Sequence, residues 1–281
     1  MALIESKKAV REPDAAEQNR RVDFFRSWFE GFVDKPMSMR SNGTSVLPPE
    51  YFAATAEFIA ATLNLDSSTD SVLDVGCDSA MVSRLVSPRC RRFIGVDFIP
   101  RMLAQIPRES LRAAGGAPAG LAAADGRFLP FRPRAFTKIY SSAVIHTLPS
   151  HADGVRMIEE MLRICRPGGA VLIANVPDAA KHRAAVLEVL RHGRIAEKLK
   201  TLLSLAAPRR AKDLLHRLGI RPTAMVLLEY DFAALQKTFE GRGFRCEIRH
   251  LPESYHSRDF RLTRSSLLIR VPAATRGHAG G

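Results

Sequence analysis

The chain has 281 residues, 46% hydrophobic and 25% charged, enough for one large globular domain with a core of its own. The polar stretch 1–21 has no apolar run, and no later run reaches the roughly 18–20 apolar residues of a membrane-spanning helix, so neither a secretory leader nor a transmembrane anchor is expected. The four cysteines, Cys77, Cys90, Cys165 and Cys246, are scattered without a C-x-x-C pair, so no disulfide framework and no metal site is expected, and a reducing, cytoplasmic setting fits best.

Residues 1–20 read as a mobile tail. Residues 23–32 are aromatic-rich with helical spacing and end before Pro36 and Asn42-Gly43. A second helix is expected over 49–63. From residue 72 the pattern changes. Short apolar runs at 72–75, 93–96, 139–140 and 171–174, with a weaker alanine-rich one at 121–124, read as strands. Segments with helical pattern lie between them at 80–86, 100–111 and 155–165. Buried strands alternating with helices predict an α/β fold, a mostly parallel sheet with helices on both faces. After Pro177 a long basic helical stretch, 179–218, interrupts the alternation. A helix at 231–242 then begins at a capping Asp231 and stops at Gly243, and strands are expected at 244–251 and 265–271.

These elements divide the chain into a tail (1–20), an N-terminal helical cap (21–66), a cofactor-binding core (67–178), a basic helical insertion (179–221), the remainder of the core (222–272) and a second tail (273–281). The formal net charge is +13. Eleven Lys and Arg between Lys181 and Arg221, against Glu188, Glu197 and Asp213, place +8 of it in the insertion. Charge of this kind informs partners rather than fold.

The segment Val72-Leu73-Asp74-Val75-Gly76-Cys77-Asp78-Ser79-Ala80 is a strand running into a tight turn and a helix. Glycine lets the backbone approach a ligand, and a helix N-terminus favours negative charge there, such as the carboxylate of an amino-acid-bearing cofactor. About twenty residues on, a second strand ends at Asp97, an acid placed to accept both hydroxyls of a ribose.

With these motifs the chain resembles the class I S-adenosylmethionine-dependent methyltransferases, in their small-molecule branch. Leu73-Asp74-Val75-Gly76-Cys77 is similar to the family's first motif, and Val96-Asp97-Phe98 with Met102-Leu103 to the second. Ala124-Asp125-Gly126 with Leu129-Pro130-Phe131 is similar to the third. Residues 139–146 (IYSSAVIH) resemble the fourth and residues 162–169 (LRICRPGG) the fifth. The resemblance spans most of the chain, about residues 73–271. It implies a Rossmann-like seven-stranded sheet, S-adenosyl-L-methionine as cofactor, and methyl transfer to oxygen or nitrogen of a small or carrier-borne metabolite in a biosynthetic role. It also implies site roles. Asp74, Gly76 and Cys77 would shape the loop around the methionine end, Asp97 would hold the ribose and Phe98 would lie against the adenine. Asp125 and Gly126 would meet the adenine amino group, and Ser141 would face the methionine amino group.

One departure stands out. Asp78 and Ala80 occupy positions where the family has glycine. Asp78 would place a second carboxylate near that of the cofactor, face its ammonium, or cap the following helix, and with Ala80 it leaves open the alternative of a non-methylating cofactor-binding scaffold on the same fold, beside that of an RNA or DNA methyltransferase. His146, after the fourth strand, is the candidate base, since an imidazole with a pKa of about 6.5 suits proton removal from a hydroxyl or amine; its alternative is a structural histidine. Trp28, among the N-terminal aromatics, and Tyr255, before the last strand, are candidate substrate contacts. The aromatics either form a lid or pack on the core. Arg40 is a candidate for the cofactor carboxylate. The basic insertion is either a solvated face or a roof that attracts an anionic small molecule or acidic carrier protein, rests on an anionic membrane surface, or meets nucleic-acid phosphates. Few aromatics interleave its charges, which disfavours nucleic acid.

Overall fold

The structure, a computed structural model, describes residues 13–34, 47–114, 119–192, 227–252, 255 and 258–273. Two helices lead in, α1 (Ala15–Phe32) and α2 (Pro49–Leu63). The sheet follows with β1 (Ser71–Val75), β2 (Arg92–Asp97), β3 (Gly120–Ala123), β4 (Phe136–Ser142) and β5 (Cys165–Pro177). Between these strands lie α3 (Ser83–Val86), α4 (Pro100–Ala104) and α5 (His151–Ile164). The chain continues through α6 (Ala179–His192), α7 (Phe232–Glu240), β6 (Arg245–Arg249), α8 (Arg258–Thr263) and β7 (Arg264–Arg270).

The seven strands run in the order β3-β2-β1-β4-β5-β7-β6. β1 to β5 pair in parallel, and β7 pairs antiparallel with both β5 and β6. This is the expected Rossmann-like seven-stranded sheet. Strand order reverses between β1 and β4, so ligands are expected at the C-terminal ends of those two strands and β2.

Period-two alternation sends successive strand residues to opposite layers. Leu73, Val75, Ile139, Val171 and Ile173 meet α5 and α7 through Ile158, Met161, Leu235 and Phe239. Val72, Phe93, Tyr140 and Leu172 meet α2 through Ala56, Ile59 and Leu63. The weak alanine-rich strand is β3, at the sheet edge, where less apolar surface needs covering.

Local chemistry sets the helix ends. Pro49 sits at the first helical position of α2, and left-handed Asn64 closes its C-terminus. Ser150 caps α5 by accepting from the Asp153 amide, and Asp231 caps α7 by accepting from the Ala234 amide.

Several boundaries differ from the sequence expectation. The first helix begins at Ala15, within the expected tail, because Asp14 caps it by accepting from the Glu17 amide. The helix expected from residue 80 starts only at Ser83, since Asp78 and Ala80 have positive φ (46° and 61°), which no right-handed helix accommodates. The helix expected over 100–111 ends at Ala104, because Pro107 disfavours helical geometry at the residue before it and supplies no amide. The short helix α8 had no counterpart in the sequence reading. Of the basic insertion, α6 is described and residues 193–226 lie outside the described residues, as does Arg40.

α5 and the segment before α7 meet at a glycine. A Cβ on Gly154 would lie 2.1 Å from the Tyr230 hydroxyl, which donates to the Ile145 carbonyl (3.0 Å). Gly154→Ala is therefore expected to destabilise the protein by about 1–3 kcal/mol, as overpacking does. In a Tyr230→Phe background the loss should shrink, which urea melts of the double-mutant cycle would measure.

Candidate active site

The site opens where β1 ends. Gly76, at φ +83°, and Cys77 both donate their amides to the Val96 carbonyl (2.8 and 2.9 Å), pinning the turn to the end of β2. A Cβ on Gly76 would stand 2.4 Å from Val144 Cγ2, so no side chain fits there. Asp78 continues the pinning, its amide donating to Asp97 Oδ2 (2.9 Å). Asp97 Oδ1 accepts from the Ile99 amide (3.0 Å). Each oxygen of the 8%-exposed Asp97 is thus held by a backbone amide and keeps lone-pair capacity for the cleft it lines. Asp78 and Ala80, which replace the family's glycines, keep a left-handed backbone at a cost of about 1–2 kcal/mol per residue for ordinary side chains, less for Asp. Asp78 caps no helix.

Two adjoining clefts share Gly76, Asp97, Phe98, Val144 and Thr147. The first is also lined by Asp74, Cys77, Asp78, Ser142, Phe29 and the α2 residues Tyr51 and Thr55. The second takes Ala124, Asp125, Gly126, Met157 and the α1 residues Val22, Phe25 and Arg26. Val22, Phe25, Arg26 and Phe29 are one helical face, so α1 lies along both openings. Arg21 ties α1 down by donating to the carbonyls of Leu148 and His146 (both 3.1 Å). Phe98, 45% exposed, stands edge-on to Phe29 with ring centroids 6.3 Å apart.

The expected site residues divide. Gly76, Cys77, Asp78, Asp97, Phe98, Asp125 and Gly126 surround the two clefts together with Asp74. Asp74 is buried and accepts from Ser83 Oγ (2.6 Å) and the Tyr140 hydroxyl (2.8 Å). Burial pushes its pKa up to about 7 against these hydrogen bonds. Burial likewise holds the Cys77 thiol well above its ordinary value. Burial opposes ionisation of Asp125 too, but Arg127 outweighs it and lowers its pKa. Arg127 binds both Asp125 oxygens (3.0 and 2.7 Å) and reaches Asp153 (2.8 Å). That commitment limits what Asp125 can offer a ligand.

Four expectations meet a different geometry. Ser141 is buried and lines neither cleft; strand alternation presents Ser142 instead. Trp28 also lines neither cleft and stacks on Phe24 (5.5 Å), because the α1 face turned to the site is that of Phe25 and Phe29. Tyr255 is buried behind the first cleft, its hydroxyl 2.8 Å from Thr55 Oγ1. His146 is buried and outside both clefts; burial, then Arg264 and Arg21, hold its pKa well below the ordinary value. A cationic imidazole is thereby disfavoured. Tyr51, Thr55, Ser142, Val144 and Thr147 were missed. Alternation along β4 carried a signal for Ser142, whereas nothing local marks Tyr51 or Thr55.

Comparison with known proteins bears on the domain and the fold. Residues 73–173 match the family model described as a methyltransferase domain. The chain is 33% identical over 105 residues to a phosphatidylethanolamine N-methyltransferase of Cereibacter sphaeroides, covering 37% of this chain and 49% of that one. It is 30% identical over 154 residues to a putative methyltransferase of Encephalitozoon cuniculi, covering 55% and 66%. The chain thus spans half to two thirds of the length of these curated relatives. Phosphoethanolamine N-methyltransferase 1 of Haemonchus contortus, solved with phosphoethanolamine and S-adenosylhomocysteine, shares the fold at a TM-score of 0.60 and 14% identity, covering 92% of this chain and 50% of that one.

The chain has the fold of the class I S-adenosylmethionine-dependent methyltransferases. Residues 73–173 match a methyltransferase domain within it. Among the described residues, no helix is long and apolar enough to cross a membrane.

Two outcomes are expected. Asp97→Asn, which exchanges one acceptor oxygen for a donor, should weaken S-adenosylhomocysteine binding by roughly 10–100-fold in calorimetry, the effect of losing one or two charge-assisted hydrogen bonds. Asp74 has a folded pKa above its unfolded value. Its contribution to stability is therefore complete below about pH 4 and is lost as pH rises through about 7. Asp74→Asn should remove that loss, so the variant gains on the wild type by on the order of 1 kcal/mol per pH unit between pH 5 and 7. Thermal melts across that range would show the gain.

Proposed function

We propose that this protein transfers the methyl group of S-adenosylmethionine to the nitrogen of a small, soluble amine. The carrying observation is the charge of the first cleft. Three carboxyl groups line it, those of Asp74, Asp78 and Asp97, and among the described residues its lining includes no Lys or Arg. Such a wall favours a cationic cofactor and an amine acceptor over an anionic nucleophile. The relative and the structural neighbour named as N-methyltransferases support the same choice.

The residues present fit the cofactor. Asp97 is placed to accept from ribose hydroxyls, the Gly76 turn leaves room for close backbone approach, and Phe98 with Gly126 and Met157 forms a slot for a flat ring. When bound, S-adenosylmethionine supplies a methyl group already activated on a sulfonium. The protein's own part is alignment and exclusion of water, which can account for much of the rate in a displacement of this kind. Phe25 and Phe29 of α1 cover the openings, while Tyr51 and Ser142 offer hydroxyls to the acceptor. His146 acts in this reading as a positioning residue. Its carbonyl receives Arg21 and the Leu228 amide (2.9 Å), holding the loop after β4 against α1. A biosynthetic role in the cytoplasm belongs to the same proposal.

Incubation with S-adenosylmethionine and a panel of small amines and alcohols should release S-adenosylhomocysteine with at least one amine and none of the alcohols. Turnover with alcohols alone would sink the nitrogen assignment. Phe29→Ala, which opens the cover, is expected to lower kcat/KM by roughly tenfold.

A further inference from the structure

A second concave site lies at the other end of the sheet. Arg92 opens β2, Phe136 opens β4 and Arg166 is the second residue of β5. These strands run parallel, so all three residues stand at N-terminal strand ends, away from the two clefts. Together with the loop between β3 and β4 they surround a cavity. Three guanidiniums line it, those of Arg92, Arg132 and Arg166, and among the described residues no Asp or Glu does. Ile94, Pro130, Phe131 and Phe136 supply an apolar lining, the two phenylalanine rings edge to face at 5.0 Å.

The wall that carries Arg132 is clamped from α5 and β5. Arg163, itself paired with Glu160, donates from Nη1 to the Phe131 carbonyl and from Nη2 to the Leu129 carbonyl (both 3.0 Å). The Arg134 amide donates to the Arg163 carbonyl (3.2 Å), and the Arg134 carbonyl accepts from Arg166 Nε (3.1 Å). Arg134 is thereby kept at φ +59°, a conformation unfavourable for a residue with a Cβ. Strain of this kind, enforced by the surroundings, gathers at ligand clamps.

The lining arginines, unlike Arg163, are not spent on the protein. Arg92 and Arg132 are exposed, and among the described residues their side chains make no hydrogen bond or ion pair. Arg166 commits only Nε, which leaves both of its Nη groups. Three like charges facing one cavity repel, and a concave wall of one sign concentrates counter-ions.

We propose that this cavity binds a phosphate ester, with the phosphate held by Arg92, Arg132 and Arg166 and the organic part against the apolar lining. A phosphate dianion offers three oxygens to planar guanidiniums, whereas a carboxylate offers two oxygens and a single charge. The cavity lies apart from the clefts, so its occupancy is independent of the methyl-transfer reading.

The test is calorimetry on the full chain, titrated with phenyl phosphate, inorganic phosphate and benzoate. Phenyl phosphate should bind most tightly, and benzoate more weakly by roughly tenfold or more. Arg92→Gln and Arg132→Gln should each weaken phenyl phosphate by roughly tenfold or more, the effect of losing charge-assisted hydrogen bonds. Lysine at either position should restore part of the affinity, since it keeps the charge but not the fork. Arg183→Gln, which removes an exposed arginine of α6, should leave the affinity within about threefold, as a distant substitution does. Circular dichroism checks that each variant folds, and where a glutamine variant does not, the lysine variant is expected to lose about threefold or more. No binding of phenyl phosphate by the wild type, benzoate bound as tightly, affinity that survives either substitution, or an equal fall in Arg183→Gln overturns the proposal.

Discussion

The turn after β1 is held in place by the end of β2, and the rest of the site is arranged around that attachment. Two amides, of Gly76 and Cys77, share the Val96 carbonyl, and the Asp78 amide reaches the carboxylate of Asp97. A left-handed turn followed by two further left-handed residues would be costly as a free loop. The hydrogen bonds to β2 offset that cost and leave the carboxylate of Asp97 fixed at the mouth of the cleft. Gly76 also lets Val144 close in from the loop after β4, so the ends of three strands interlock at a position with no space for a Cβ.

The second level of organisation comes from elements remote in sequence. Arg21 bridges 125 residues to reach the His146 carbonyl, and Tyr230 bridges 85 to reach that of Ile145. Both act on backbone of the segment joining β4 to α5, so that segment is shaped by partners from α1 and from the approach to α7. The site therefore depends on the N-terminal helix for its cover and also for the course of its floor.

Charge is distributed with the same economy. The chain carries +13 overall, yet the first cleft is lined by acids, and burial brings Asp74 to a pKa of about 7. A basic exterior around an acidic cleft keeps the field inside the site distinct from that of the surface, where solvent screens it. The hydrogen bonds from Ser83 and Tyr140 hold the Asp74 oxygen in one orientation whether or not the group is charged.

Much of this was legible beforehand. The alternation of short apolar runs with helical segments announced a parallel sheet, because strands buried on both faces need continuous apolar sequence. The glycine turn followed by Asp97 marked the cleft, because a tight turn and a strand-end acid have local residue requirements. What sequence left open was decided by packing across the chain. Ser141 and Ser142 are equivalent as letters, and only the sheet's register directs Ser142 to the cleft. Trp28 and Phe29 sit side by side on one helix, and only the docking of α1 selects Phe29. His146 follows the fourth strand as a base would, but the arginines beside it come from α1 and β7. Local composition determines which element forms, whereas the direction a side chain faces and the charge it meets depend on neighbours that only the tertiary fold supplies.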